Sequence, residues 1–365
     1  MAERKREQSD KGTAHNSPTV DDVARRAQVS RTAVSYVLNE RGQRNKHVSE
    51  AARARVLQAM RELNFRPHSH ARALSKGYSE ELVWIVDVDL TPFAIEMITS
   101  IQRRASFYGY TPVMYFAQQF AAEERKALYQ TIFARRPIGL IVGCQSFTAE
   151  DVAHAREMGV NHIIFIAFRE VQIEGTHSIV FPSRALGYLA ARHLLERGHR
   201  HLALVKPDES IQEEAFLQRL EGMQAAIAEE VDKPDKADKA DKAAVKLDIL
   251  LLHRSALSAQ ALVESSLMGA DRPTGIYAFS DEYAVVLLGA LTRVGIRVPQ
   301  EVALVGTDNL SLGTFVWPSL TSMGFDAIDM GKRTVDMLHI LHQGLPLPEE
   351  FTQPLVPQLI VRESS

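Results

Sequence analysis

Between Pro18 and Pro67 the apolar residues recur at spacings of three and four, a period that predicts three short helices packed on one another. Thr19 followed by Asp22 makes a capping-box-like start ahead of Val20, Val23, Ala24 and Ala27, which share one helical face. The chain then turns through Gln28 and Val29, and Ser30 caps a second helix. Ala33, Val34, Val37 and Leu38 lie on one side of it, and Arg31, Thr32, Ser35, Tyr36 and Asn39 on the other. Ser49 starts a third helix that turns Ala52, Val56, Met60 and Leu63 inward and stops near Asn64 and Pro67. Residues 1 to about 17 carry no apolar period and read as a disordered leader.

From Leu82 the pattern changes to short β-rich runs alternating with helical segments, as in a parallel sheet covered on both faces. The runs are LVWIVDV from Leu82, TPVMYF from Thr111, IGLIV from Ile138, HIIFIAF from His162 and SIVF from Ser178. A second series follows: HLALV from His201, LDILLL from Leu247, GIYAF from Gly275 and VALVG from Val302. Two series of similar size predict two doubly wound lobes with a ligand cleft between them. The repeat DKPDKADKADKA, Asp232 to Ala243, has no large apolar residue and reads as a solvated loop or frayed helix extension.

Composition narrows the class. At 365 residues, with 45% hydrophobic and 24% charged positions, the chain has the make-up of a soluble protein of two or three domains. No apolar stretch approaches a bilayer span, and the opening MAERKREQSDKG is polar, so the expected location is the cytoplasm with no membrane partner. The single cysteine, Cys144, follows an apolar run and reads as a buried structural thiol. Charge divides the chain: residues 1 to 76 hold 16 Lys and Arg against 8 Asp and Glu, a net of +8, whereas the remainder holds 26 against 37, a net of −11. A basic head on an acidic body favours nucleic acid at the head alone, because counterion release makes clustered Lys and Arg bind phosphate backbones.

Thr19 to Asn39, TVDDVARRAQVSRTAVSYVLN, is two short capped helices joined by a three-residue turn. A recognition helix must bury one face and offer polar side chains from its first turns to base edges, a demand that Arg31, Thr32 and Tyr36 meet. On spacing alone, a generic helical hairpin with a solvated outer face is the alternative.

The sequence resembles the lactose-repressor (LacI/GalR) family of bacterial regulators from Thr19 to Arg362. The similarity runs through VARRAQVSRTAVSYVLN, VSEAARARVLQAMRELNFRP, HARALSKG, ERGHRHLALV, RLEGMQAA, AFSDEYAVVLLGALTRVGIRVPQEVALVGTDN, PSLTSMGFDAIDMGKRTVDML and LIVRES. It implies an all-α helix-turn-helix head plus an α/β, two-lobed, periplasmic-binding-protein-like core with doubly wound parallel sheets. The implied divisions are a leader at 1–17, the DNA-binding domain at 18–67, a hinge helix and linker at 68–78 and the core at 79–365. The resemblance makes Arg31, Thr32 and Tyr36 the principal base readers, with Ser30, Ser35 and Asn39 nearer the phosphate backbone and Thr19 completing the DNA-binding set. Tyr36 departs from the Arg common at that place. In HARALSKG, Leu74 falls where the family wedges a leucine into the minor groove, flanked by Ala71, Arg72 and Ala73. The connection Glu40 to His47 is longer than usual, and its Arg41, Arg44 and Lys46 are expected to add phosphate contacts.

The same resemblance places an effector between the lobes, lined by Phe93, Phe168, Arg219, Asp281 and Asp308. Asp281 also fits a plain role at a helix start, next to Ser280. Ala167–Phe168 stands where many relatives have an Asp–Arg pair, and Pro182–Ser183 where many supply an Asp, so the pocket has fewer polar anchors. A small organic effector is expected, with a sugar as the alternative. The implied function is a homodimeric transcriptional repressor on an approximately palindromic double-stranded operator, its affinity set by that effector. No cofactor, metal or catalytic constellation is legible. The run Met330 to Thr334 lacks the spacing of a phosphate loop and reads as amphipathic helix, and His68 with His70, or His199 with His201, lack partners for zinc.

Overall fold

The structure is a computed structural model that describes residues 18–39, 48–65, 76–87, 90–208, 212–231 and 244–365. The expected leader, the Glu40 to His47 connection, His68, His70, the hinge residues Ala71, Arg72 and Leu74, and the Asp232 to Ala243 repeat lie outside the described residues. Two compact units divide the chain, Met1–Ser79 and Glu80–Ser365.

In the first unit, α1 (Val20–Ala27), α2 (Arg31–Asn39) and α3 (Glu50–Glu62) form as the apolar period predicts. Thr19 and Asp22 close the capping box reciprocally: Asp22 N–H donates to Thr19 Oγ1 at 3.3 Å and Thr19 N–H to Asp22 Oδ2 at 2.9 Å. The turn is made possible by Gln28 in the left-handed region at φ 53°. Ser30 Oγ then accepts Ala33 N–H at 3.1 Å to start α2, and Ser49 Oγ accepts Ala52 N–H at 3.3 Å to start α3. Val23, Ala24, Ala27, Val34, Val37, Val56, Ala59 and Phe65 are buried together. Few of these side chains are large: each buried valine stabilises the unit by roughly 1.5–3 kcal/mol and each alanine by less, so its core is small.

The second unit has two lobes. Lobe 1 begins with β1 (Ser79–Val86), α4 (Pro92–Phe107), β2 (Thr111–Phe116), α5 (Ala122–Ala134), β3 (Pro137–Gly143), α6 (Ala149–Glu157), β4 (Ile163–Ala167) and β5 (His177–Val180). Its sheet runs β2-β1-β3-β4-β5. Lobe 2 follows with α7 (Ser183–Glu196), β6 (His201–Pro207), α8 (Glu213–Val231), β7 (Lys246–Leu252), α9 (Ala256–Leu262), β8 (Gly275–Tyr277), α10 (Asp281–Arg293), β9 (Ala303–Thr307) and β10 (Thr321–Gly324). The chain then returns to lobe 1 as α11 (Ala327–His342) and ends in lobe 2 as β11 (Gln358–Ile360). The lobe 2 sheet runs β11-β10-β9-β8-β6-β7, with β11 antiparallel to β10.

All nine predicted strands are present. The two that sequence periodicity missed, β10 and β11, span four and three residues, too few to establish an alternation. The two series are also not independent, because α11 packs on α4 of lobe 1. Ser100 Oγ donates to Ile328 O at 2.6 Å, and Arg104 Nε meets Asp336 Oδ1 at 2.5 Å. Met330, Gly331 and Thr334 are buried within α11, so that run is helix, as expected. Cys144 is buried past the end of β3 with Tyr129 Oη 3.6 Å from its sulfur, and burial pushes the thiol pKa up. Among the described residues no helix is long and apolar enough to cross a membrane.

Candidate functional site

The first candidate surface is the outer face of α2. Burial of Val34 and Val37 against α1 and α3 fixes the helix rotation. Arg31, Thr32, Ser35 and Tyr36 are thereby exposed, Tyr36 at 40% despite its large ring. Thr19 and Ser30 lie at helix starts with their hydroxyls engaged in capping, so they hold the surface in place as well as bordering it. The side chain of Asn39 lies outside the described residues. Arg31 Nη1 lies 3.5 Å from Asp21 Oδ2 on α1, a partner the sequence pattern gave no reason to single out.

The second candidate surface lies between the lobes, at the ends of strands where ligands of open α/β sheets bind. Thr91 Oγ1 caps α4 by accepting Ala94 N–H at 3.2 Å, and this start carries Phe93. Phe168 follows β4 directly. Two further rings join them: Phe181, on the connection from β5 to α7, and Phe325, on the connection from β10 to α11. Phe93 meets Phe325 edge-on at 5.1 Å between centroids, Phe181 lies 5.8 Å from Phe325, and Phe168 stacks on Phe181 at 5.0 Å. Sequence reasoning had Phe93 and Phe168 but missed Phe181 and Phe325. A signal existed only for Phe181, the aromatic end of the predicted run SIVF; Phe325 follows β10, which the periodicity did not reveal.

Lobe 2 supplies the charged groups. Arg219, on α8, is 7% exposed, donates through Nη1 to Phe279 O and lies with its guanidinium carbon 4.0 Å from the centre of the Phe279 ring. Its Nε has no hydrogen-bond partner among the described residues. Its neighbour Gln218 donates to Phe168 O in lobe 1 at 2.7 Å. Alongside, Arg169 of lobe 1 pairs with Glu214 and, at 3.3 Å, with Glu221 of α8. Asp308 follows β9 at φ 93°, and burial with too little compensating charge raises its carboxyl to about 6. Arg219 pulls that value down, while Glu282 and Glu96 push it up. Beside Asp308 and Phe325 opens a groove of about 540 Å³, bordered also by Glu96, Asn309, Asp329 and Arg333.

Asp281 is placed differently from its expected position on the cleft wall. It is 0% exposed, Oδ1 accepts Ser322 Oγ–H at 2.6 Å and Oδ2 accepts Leu310 N–H at 2.7 Å. Burial raises its carboxyl to about 7, the Ser322 hydrogen bond opposing that rise and the charge of Asp308 adding to it. The physical role visible here is to tie α10 to the segments after β9 and within β10. Ser280 stands at the start of α10 without making a side-chain cap.

Two stretches of the chain match known families. Residues 19–68 match the model for bacterial regulatory proteins of the lacI family, and residues 191–365 match the periplasmic binding protein-like domain. The HTH-type transcriptional repressor PurR of Aliivibrio salmonicida (strain LFI1238) is 27% identical over 320 residues, 88% of this chain and 91% of that protein. This chain belongs to the LacI/GalR family. PurR of Escherichia coli O139:H28 is likewise 27% identical, over 88% of this chain and 89% of its own. Among solved structures, the Lac repressor dimer bound to operator and the anti-inducer ONPF superposes with a TM-score of 0.74 at 25% identity, covering 95% of this chain and 98% of that one. As a LacI/GalR protein, this chain is a DNA-binding transcriptional regulator with an effector-binding core, and its relatives are repressors, not enzymes.

Proposed function

We propose that this protein is a homodimeric, cytoplasmic repressor that binds an approximately two-fold symmetric operator through α2 and releases or tightens its grip when a small organic molecule occupies the cleft between the lobes. Arg31 and Thr32 read base edges with Tyr36, while Thr19, Ser30, Ser35 and Asn39 meet the backbone. Residues 68–78 form the hinge, with Leu74 as the minor-groove wedge and Ala71 and Arg72 completing the DNA-binding set beside it. Phe93, Phe168, Phe181 and Phe325 give the effector an apolar wall, and Arg219 and Asp308 its polar anchors. The groove beside them is bordered by Glu96, Asn309, Asp329 and Arg333, so a small organic effector with both an apolar face and polar groups suits it, a sugar being the alternative.

The observation that carries the DNA-binding half is the exposure of Arg31, Thr32, Ser35 and Tyr36 on a helix whose opposite face is locked by Val34 and Val37. Selection of bound duplexes from a random pool is expected to enrich an inverted repeat, two-fold symmetry in the site matching two-fold symmetry in the dimer. Enrichment of no sequence by the protein, with and without metabolite extract, overturns the proposal.

A further inference from the structure

We infer that Asp21 is a positioning residue for base reading: its carboxylate holds the Arg31 guanidinium by Nη1 and leaves the Nε–Nη2 edge to fork onto a guanine. The inference rests on α2 being the reading helix. Arg31 is the only formally charged residue of that helix, RTAVSYVLN. Its Nη1 lies 3.5 Å from Asp21 Oδ2 in the first turn of α1. The adjacent Asp22 is committed elsewhere, to the Thr19 backbone and hydroxyl and to Arg25 at 3.4 Å. Arg31 and Asp21 are 72% and 57% exposed, so solvent screens the pair and it adds next to nothing to the stability of the head.

Its consequence comes when a duplex docks. A free arginine side chain samples many rotamers and must surrender them to make a planar two-point contact, whereas one whose rotamers are biased by a carboxylate near Nη1 surrenders fewer. A guanidinium has five donors, and engagement of one nitrogen leaves the opposite edge for guanine O6 and N7. The carboxylate also repels phosphates wherever the head lands. That penalty applies to every sequence and cancels when two sites are compared, so Asp21 lowers affinity for all DNA and acts on discrimination only through the placement of Arg31.

The test uses the full chain, with the operator recovered by selection, and compares wild type, Asp21→Asn, Arg31→Ala and the double variant for every single-base change in the site and for a random-sequence duplex. Arg31→Ala is expected to lose about tenfold of discrimination at one base pair. Asp21→Asn is expected to lose about threefold at that same base pair, to bind random duplex more tightly and to melt at the wild-type temperature. In discrimination at that base pair the double variant matches Arg31→Ala alone, because a buttress has no effect without the side chain it supports, while its tighter binding of random duplex persists. Asp21→Asn that spares that base pair, or that adds its loss to that of Arg31→Ala, overturns the inference and leaves the reading helix standing. Arg31→Ala with unaltered base preference overturns both.

Discussion

The head presents its candidate base readers from one nine-residue helix, whereas the core gathers its contacts from six stretches of chain that meet only because the backbone crosses between lobes. In α2, exposure follows from local periodicity: once Val34 and Val37 point inward, Arg31, Thr32, Ser35 and Tyr36 must point outward. In the core, Phe181 and Phe325 become neighbours of Phe93 and Phe168 because their segments connect one lobe to the other. A surface set by a helical period tolerates change elsewhere, and one set by crossings depends on how helices far from the ligand pack.

The largest expected effect tests that dependence. Where α7 and α8 cross, a Cβ on Gly222 would lie 2.0 Å from Arg184 O, and one on Gly187 would lie 1.9 Å from Arg219 O. Backbone meets backbone there, so no rotamer change can relieve the overlap. Gly222→Ala is expected to destabilise the core by about 3 kcal/mol, the upper end of ordinary overpacking, and to lower its melting temperature by roughly 6–12 °C. Because the crossing seats Arg219, effector response should fall with it, while binding of random duplex at low salt stays close to wild type. Calorimetry and DNA titration read the two parts separately, and a wild-type melting temperature would show that the helices part without cost.

An intermediate effect comes from pH. Asp308 is raised in the folded protein to about 6 from an ordinary 3.8, and Asp281 to about 7. A carboxyl raised on folding favours the folded state below its unfolded value, and that contribution is lost as pH rises through the folded value. These two carboxyls are therefore expected to withdraw stability from the core as pH rises from 4 to 8. His162, His177, His193, His199 and His339, held below the ordinary imidazole value by burial, return stability as pH rises toward that value. The head has no raised carboxyl among its described residues, and Asp308→Asn isolates the carboxyl contribution. Asp308→Asn removes one of the two groups and suits the positive φ at that position. It should stabilise the core at pH 8 by about 1–2 kcal/mol, allowing for partial solvent screening, and remove that carboxyl's share of the pH dependence while weakening effector response. An unchanged slope between pH 5 and pH 8 would mean that Asp308 ionises at no cost.

How much was legible in the sequence follows the same division. Thr19, Ser30 and Ser49 announce helix starts because a cap is a local event, and the polar face of α2 could be read off its spacing alone. The LacI/GalR resemblance added Phe93, Phe168, Arg219 and Asp308. Periodicity could not reveal that α11 returns to lobe 1, since an amphipathic helix looks the same whichever sheet it covers. Nor could it reveal that Asp281 is sealed under Leu310 and Ser322: an aspartate at a helix start reads alike whether it faces water or a neighbouring loop. Asp21 was hidden for a related reason, because the ion pair with Arg31 joins two helices and no spacing rule spans their turn.

The smallest expected effect concerns how the core lobes hold together. Arg169, in the loop after β4, reaches Glu214 and Glu221 on α8, with the Gln218 to Phe168 hydrogen bond between them. The arginine is 58% exposed and its partners 31% and 49%, so the pairs are screened and Arg169→Ala should alter global stability by less than about 1 kcal/mol. These links nevertheless exist only while the lobes keep this separation, so their loss acts on the opening equilibrium in full. A bias of about 0.5–1 kcal/mol changes the open population roughly two- to fivefold. Amide hydrogen exchange in residues 168–176 should quicken by that factor in Arg169→Ala, and added salt should quicken it in wild type but not in the variant. Gln218→Ala, which removes a neutral link, should quicken exchange while keeping the salt response. If salt leaves wild-type exchange unchanged, the ion pairs do not hold the lobes, and the aromatic contacts among Phe93, Phe168, Phe181 and Phe325 set their separation instead.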